Sequence, residues 1–237
     1  MHQGSLLWSD MAQFDFSVDT KEDLINAINR FGIIPYFRNS IPGFSIEEHV
    51  SPRAWFSSEE GVWEWKGPVI REANCAYGKF FEHKAAFISM DWYPDFANFR
   101  RDGYDFDARY DDGLVSFREK ELYDLLVAHE PILSKGLKVR GDYRKEGKKG
   151  FETLISRLQA TGYVVISDFV YLQDKAGRTY GWGVSEYSTP EKLFGDIFTD
   201  RVYARTPEES YERLVAHLMS MLPEAEEEKV RKFIIKG

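Results

Sequence analysis

The chain has 237 residues, 43% hydrophobic, 30% charged and 16% aromatic, enough for one large domain or two small ones with real cores. Its one cysteine, Cys75, excludes a disulfide framework and a cysteine-rich zinc site within the chain, and no apolar run nears the roughly 20 residues that span a bilayer. The net charge of -8 opposes polyanions, and the start MHQGSLLWSD lacks the basic and apolar regions of a secretory leader, so a soluble, cytoplasmic protein is expected.

Residues 1–18 carry little pattern. Asp19 or Thr20 can cap a helix with Leu24, Ile25, Ile28 and Phe31 on one face and Gly32 at its end. Pro35 follows, then the turn Ile41-Pro42-Gly43-Phe44. Ser45 begins a short helix with Glu47 and Glu48 in its first turn, where acids suit the helix dipole. Ser51-Pro52 opens another, carrying Trp55 and Phe56, and residues 58–61 read as a loop. Trp63 and Trp65 read as core or interface anchors, with base stacking as the alternative. CAYGKFF and AAFIS, within 75–89, read as two strands joined near Glu82-His83-Lys84. Asp91 then caps a short helix with Trp92, Phe96 and Phe99. Residues 102–113, DGYDFDARYDDG, are acidic and turn-rich, the best linker. Their acids lack the sixth-position glycine and twelfth-position glutamate of an EF-hand.

The second half opens with a helix near Ser116–His129, with Phe117, Leu122, Leu125 and Leu126 inward, and Pro131 stops it. Ser134 caps a second helix containing Leu137 and Val139. A basic loop leads to a third helix with Phe151, Leu154, Ile155 and Leu158 on one face, and Gly162 ends it. Tyr163–Leu172 reads as a strand, 174–177 as a turn, and Tyr180–Tyr187 as the returning strand. Thr189-Pro190 and Thr206-Pro207 each start a further helix, and EAEEEKVRKFIIKG reads as a charged helical tail. Three helices followed by a hairpin are the layout of a winged helix. A fainter echo in the first half suggests two in tandem. The expected fold is α+β, with 1–101 an aromatic-rich α/β region, a divergent winged helix, 102–113 the linker, 114–188 the winged helix and 189–237 a helical extension.

Residues 134–178 hold ten Lys or Arg and five acids, net +5 in a chain of net -8. A local patch decides where a polyanion docks. On the third helix, Glu152, Thr153, Ser156, Arg157 and Gln159 fall away from the apolar face. Arg and Gln can read base edges, and Ser or Thr can hold phosphate. The candidate contacts to double-stranded DNA are Lys135, Lys138, Arg144, Lys145, Lys148, Lys149, Thr153, Ser156 and Arg157, with Lys175 and Arg178 on the hairpin turn. A protein partner is the alternative occupant, since winged helices also serve as interaction modules. The five histidines lack metal-ligand spacing, and no phosphate-cradle or nucleophile motif occurs, so no metal and no cofactor are expected. His83 can be a general acid–base group or a structural histidine at a turn.

Residues 79–94, KFFEHKAAFISMDWYP, resemble AlkZ-type DNA glycosylases through His83, Ala85, Ala86, Asp91, Tyr93 and Pro94. EPILSKGL and FETLISRLQATGYVV follow as the second-helix entry and the third helix and strand. The chain as a whole is similar to the shorter AlkZ-related set. The resemblance implies tandem winged helices around duplex DNA and excision of damaged bases, with a Gln-x-Gln or Gln-x-Asp motif activating water. The glutamines here are Gln3, Gln13, Gln159 and Gln173, and none forms that motif. The expected function is therefore DNA binding by a repair-related protein. An active glycosylase using another acid, Asp91 or one in 102–112, with His83 as a further candidate, is one alternative, and a protein-interaction module is the other.

Overall fold

The computed structural model describes residues 14–57, 60–173, 175 and 179–237. Its first half runs α1 (Lys21–Phe31), β1 (Ile33–Pro35), α2 (Ile46–His49), α3 (Pro52–Trp55), α4 (Val62–Glu72), β2 (Cys75–Phe81) and β3 (Lys84–Ser89). After α5 (Tyr93–Arg101) and α6 (Phe106–Asp111) come α7 (Phe117–Val127), β4 (Ile132–Leu133), α8 (Ser134–Arg140), α9 (Phe151–Ala160), β5 (Val165–Gln173) and β6 (Thr179–Ser188). Helices α10 (Pro190–Phe194), α11 (Asp196–Val202), α12 (Pro207–Met221) and α13 (Glu227–Ile235) complete a mixed α+β fold. The two antiparallel sheets have equivalent orders, β1-β3-β2 and β4-β6-β5. In both halves the short first strand pairs with the last.

Local signals explain most boundaries. Thr20, Ser116 and Thr206 form reciprocal capping boxes with Asp23, Glu119 and Glu209 at the starts of α1, α7 and α12. Leu122, Leu126, Leu137, Phe151, Leu154, Ile155, Leu158 and Val165 are buried together, with Leu125 half-buried against them. Phe117 departs from expectation and is 68% exposed. Five residues turn a helix by 500°, placing Phe117 about 140° around from Leu122. Val139 is 57% exposed for the same reason, two residues past buried Leu137. Ser134 lies inside α8 rather than capping it, because the chain passes straight from β4 through Leu133 into the helix. Asp91 does not cap α5 either; Trp92 holds that position without a side-chain bond. The acidic 102–113 stretch contains α6, capped by Asp105 and anchored by buried Phe106.

Helix α4 has no counterpart in the sequence reading, because Gly67-Pro68 inside it reads as a breaker. Pro68 removes one helical N–H, yet the helix continues. Its glycine serves tertiary contact: a Cβ on Gly67 would lie 2.8 Å from Asp168 Oδ1 on β5. Arg71 pairs with Asp168 there, and Lys66 Nζ lies 4.6 Å over the Phe169 ring.

The packing is reciprocal. Helix α4 of the first half lies against β5 of the second, and α9 of the second lies against β2 of the first. At the latter contact Lys79 N–H donates to Gln159 Oε1 at 3.1 Å, and Lys79 Nζ donates to Ser156 Oγ at 3.4 Å. Tyr77 and Phe169 join the two β-strands at the centre, ring centroids 5.7 Å apart. Helix α5 clamps the carboxy-terminal helices with buried polar groups. Asp95 accepts from Ser210 Oγ at 2.9 Å and Arg213 Nε at 3.1 Å. Arg101, 1% exposed, donates to Glu191 at 2.7 Å and to the Gly162 carbonyl at 2.8 Å. These bonds compensate the burial of charge.

Candidate functional site

Reciprocal packing decides which side chains of α9 remain outside. Phe151, Leu154, Ile155 and Leu158 face the second-half core. Ser156 and Gln159, expected on the outward face, are 9% and 1% exposed because β2 covers that flank. The Ser156 hydroxyl, expected to face DNA, lies against β2 and accepts from the Lys79 ammonium. Glu152, Thr153 and Arg157 stay exposed. Lys149, Thr153, Arg157 and Thr161 are spaced four apart, a spacing that lines up one side of a helix.

The helix begins at Gly150, left-handed at φ 87°, with no side-chain cap. Its first N–H groups and its positive dipole end thus meet the exposed Lys148 and Lys149. Three predicted cations of the window have carboxylate partners at the surface. Lys138 pairs with Glu152 at 2.6 Å, Lys148 with Glu121 at 2.6 Å and Arg144 with Asp142 at 3.1 Å. Lys149 Nζ donates to the Lys145 carbonyl. Lys135, Lys145 and Lys175 are exposed. Arg178 lies outside the described residues. Exposed pairs of this kind are worth about 0–1 kcal/mol, so an incoming phosphate can replace the carboxylate at little cost.

A cleft of about 380 Å³ opens where the two halves and the 102–115 connection meet, lined by His83, Arg100, Phe106, Arg109, Leu114, Val115, Glu119, Arg157, Leu158, Ala160, Thr161, Tyr163 and Gly237. His83 enters from the β2–β3 turn with φ 57° and is exposed. Asp91 is remote from it. The six residues of β3 separate the two, about 20 Å at strand rise, and exposed Asp91 lies 3.9 Å from Arg201. None of the acids in 102–112 lines the cleft; its acidic side chain is Glu119. Glu119 Oε2 accepts from Ser116 Oγ at 2.7 Å.

Arg100 donates to the carbonyls of Ile235 and Lys236 at 2.7 Å each and to that of Phe80 at 3.1 Å. Its Nε is buried without a partner, and burial pulls the guanidinium down to about 10. Arg109 donates to the carbonyls of Arg101 at 2.8 Å and Arg100 at 3.2 Å. Burial pushes the Tyr163 hydroxyl up to about 12, and it donates to the Tyr104 carbonyl at 2.9 Å. Sequence reasoning missed Arg100, Arg109 and Glu119. The signal available was three cations flanking an acidic stretch, Arg100, Arg101 and Arg109, which its aspartates overshadow. Among the described residues no cluster of His, Cys, Asp or Glu could hold a metal ion, and no helix is long and apolar enough to cross a membrane.

No curated protein and no solved structure matches the chain, whereas the family model described as AlkZ related matches residues 18–235.

Proposed function

Because the chain belongs to the AlkZ-related family, we propose that it binds duplex DNA, through the basic loop before α9 and the outward stripe of that helix. The observation that carries this reading is the stripe itself: Thr153 and Arg157 stay exposed on a helix buried along most of its surface, and exposed Lys149 lies just before its uncapped positive end. A helix N-terminus with flanking lysines suits phosphate. We read residues 114–188 as a winged helix and the first half as a second one, supported by their equivalent sheet order and by an element order that differs by one additional short helix in the first half. The helix before the hairpin in each half, α4 and α9, is covered on one flank by the other half. The DNA therefore lies along an exposed stripe, and neither helix is free on all sides to fill a major groove. Lys135, Lys138, Arg144, Lys145 and Lys175 supply flanking charge in this reading.

A labelled duplex titrated from low to high salt tests it. Each phosphate contact adds about 0.9 to the magnitude of the slope of log K against log salt. Lys148→Ala and Lys149→Ala each flatten the slope by about one unit and weaken all sequences alike, whereas Arg157→Ala weakens some sequences more than others. Absence of binding at low ionic strength, or variants indistinguishable from wild type, makes the window ordinary solvated surface and gives the protein-interaction reading the lead. Release of a base from an alkylated duplex, abolished in Glu119→Gln, would instead identify a glycosylase that uses the carboxylate near His83.

A further inference from the structure

Resting on the reading that the α9 stripe follows a nucleic-acid backbone, we propose that the cleft at its end is a binding site for the phosphate group of a single nucleotide. The argument is one of missing counter-ions. Buried or half-buried cations in folded proteins are normally paired with carboxylates. Arg101, elsewhere in this chain, obeys that rule with Glu191. Of the cleft arginines, Arg157 is exposed, whereas half-buried Arg100 and Arg109 do not obey it. Arg100 and Arg109 donate to neutral backbone carbonyls, and among the described residues neither they nor Arg157 form a salt bridge. Three arginines thus line one cavity in a chain of net charge -8.

Glu119, the acidic side chain of the cleft, is held by its capping box to Ser116 and neutralises none of the three within ion-pair distance. Guanidinium forks match the oxygens of phosphate. The volume of about 380 Å³ suits one nucleotide and is too small for a duplex. Exposed Leu114 and half-buried Val115 give an apolar rim for the sugar or base, and His83 adds a ring nitrogen. The phosphate can belong to a free nucleotide or to the end of a DNA strand. Both share the same chemistry.

Calorimetric titration with dAMP, inorganic phosphate and unphosphorylated deoxyadenosine tests the site directly. The two phosphates bind and deoxyadenosine does not. Arg157→Gln, at an exposed position that folding does not need, weakens dAMP by about tenfold, the yield of one charge-assisted hydrogen bond. Glu119→Gln keeps a residue able to complete the capping box while removing the opposing charge, and tightens dAMP by about threefold or more. Misfolding cannot produce that gain. Failure of wild type to bind dAMP and phosphate, or equal dAMP affinity in wild type and both variants, overturns the proposal. Duplexes with and without a 5′-phosphate separate the sources: tighter binding of the phosphorylated duplex assigns the site to DNA ends, and equal binding assigns it to the free nucleotide. A protein that binds dAMP but no duplex keeps this site and loses the duplex reading. One that binds duplex but no dAMP does the reverse.

Discussion

Replacing Gln159 by Leu tests the contact on which the architecture turns. Gln159 is fully buried where α9 meets β2; its Oε1 accepts the Lys79 N–H at 3.1 Å and its Nε2 donates to the Ile155 carbonyl at 3.0 Å. Lys79 falls in the register shift between Gly78 and Phe81, so its N–H has no ladder partner on β3. Gln159→Leu preserves volume and leaves that N–H buried and unpaired. An orphaned donor costs about 1–3 kcal/mol. The Ile155 carbonyl loses less, because a helical carbonyl also accepts the backbone N–H four residues on. Urea unfolding followed by tryptophan fluorescence should therefore show a midpoint lowered by about 1–3 kcal/mol of stability at unchanged slope. Thr153→Leu, the comparable change on the outward stripe, should stay within about 0.5 kcal/mol of wild type. Equal effects at the two positions, or a stabilised Gln159→Leu, would refute the packing of α9 on β2.

Three further outcomes follow from other parts of the molecule. Leu154→Ala should cost about 2–5 kcal/mol in the same unfolding assay, since the side chain is buried in the second-half core. Gly67→Val should cost about 1–3 kcal/mol by overpacking, because its Cβ would lie 2.8 Å from the Asp168 carboxylate; circular dichroism melting would register the loss. Burial lowers His217 to about 4 while its ring stacks on Trp92 at 3.7 Å and bonds the Phe31 carbonyl. The unfolded histidine near 6.5 takes up a proton first, so stability falls as pH drops from about 6.5 to about 4, by up to about 3 kcal/mol. Comparing unfolding free energies at pH 7 and pH 4.5 should show a smaller fall in His217→Gln than in wild type.

Much of the chain's local structure was written in its sequence. The i, i+3, i+4, i+7 pattern of Phe151, Leu154, Ile155 and Leu158 determined α9 and its core face, and the apolar runs at 75–81 and 85–89 determined the first hairpin. Thr20, Thr189 and Thr206 marked helix starts through bonds that span only three residues. Strands β1 and β4 escaped notice because two or three residues are too few to show a period of two, and α4 because Gly67-Pro68 mimics a break. The candidate site was legible only in part. Excess charge at 134–178 and the singular His83 could be seen, but Arg100, Arg109 and Glu119 could not be joined to them. The reason is physical. Hydrophobic periodicity reports the face an element turns toward its own core. The second buried face of α9 is polar: Ser156 and Gln159 are hidden through hydrogen bonds to Lys79, and Gly67 and Gly78 permit close approach by lacking side chains. Such contacts leave no apolar trace in the chain. Only the docking of one half against the other decides which polar residues are covered and which arginines face the cleft between them.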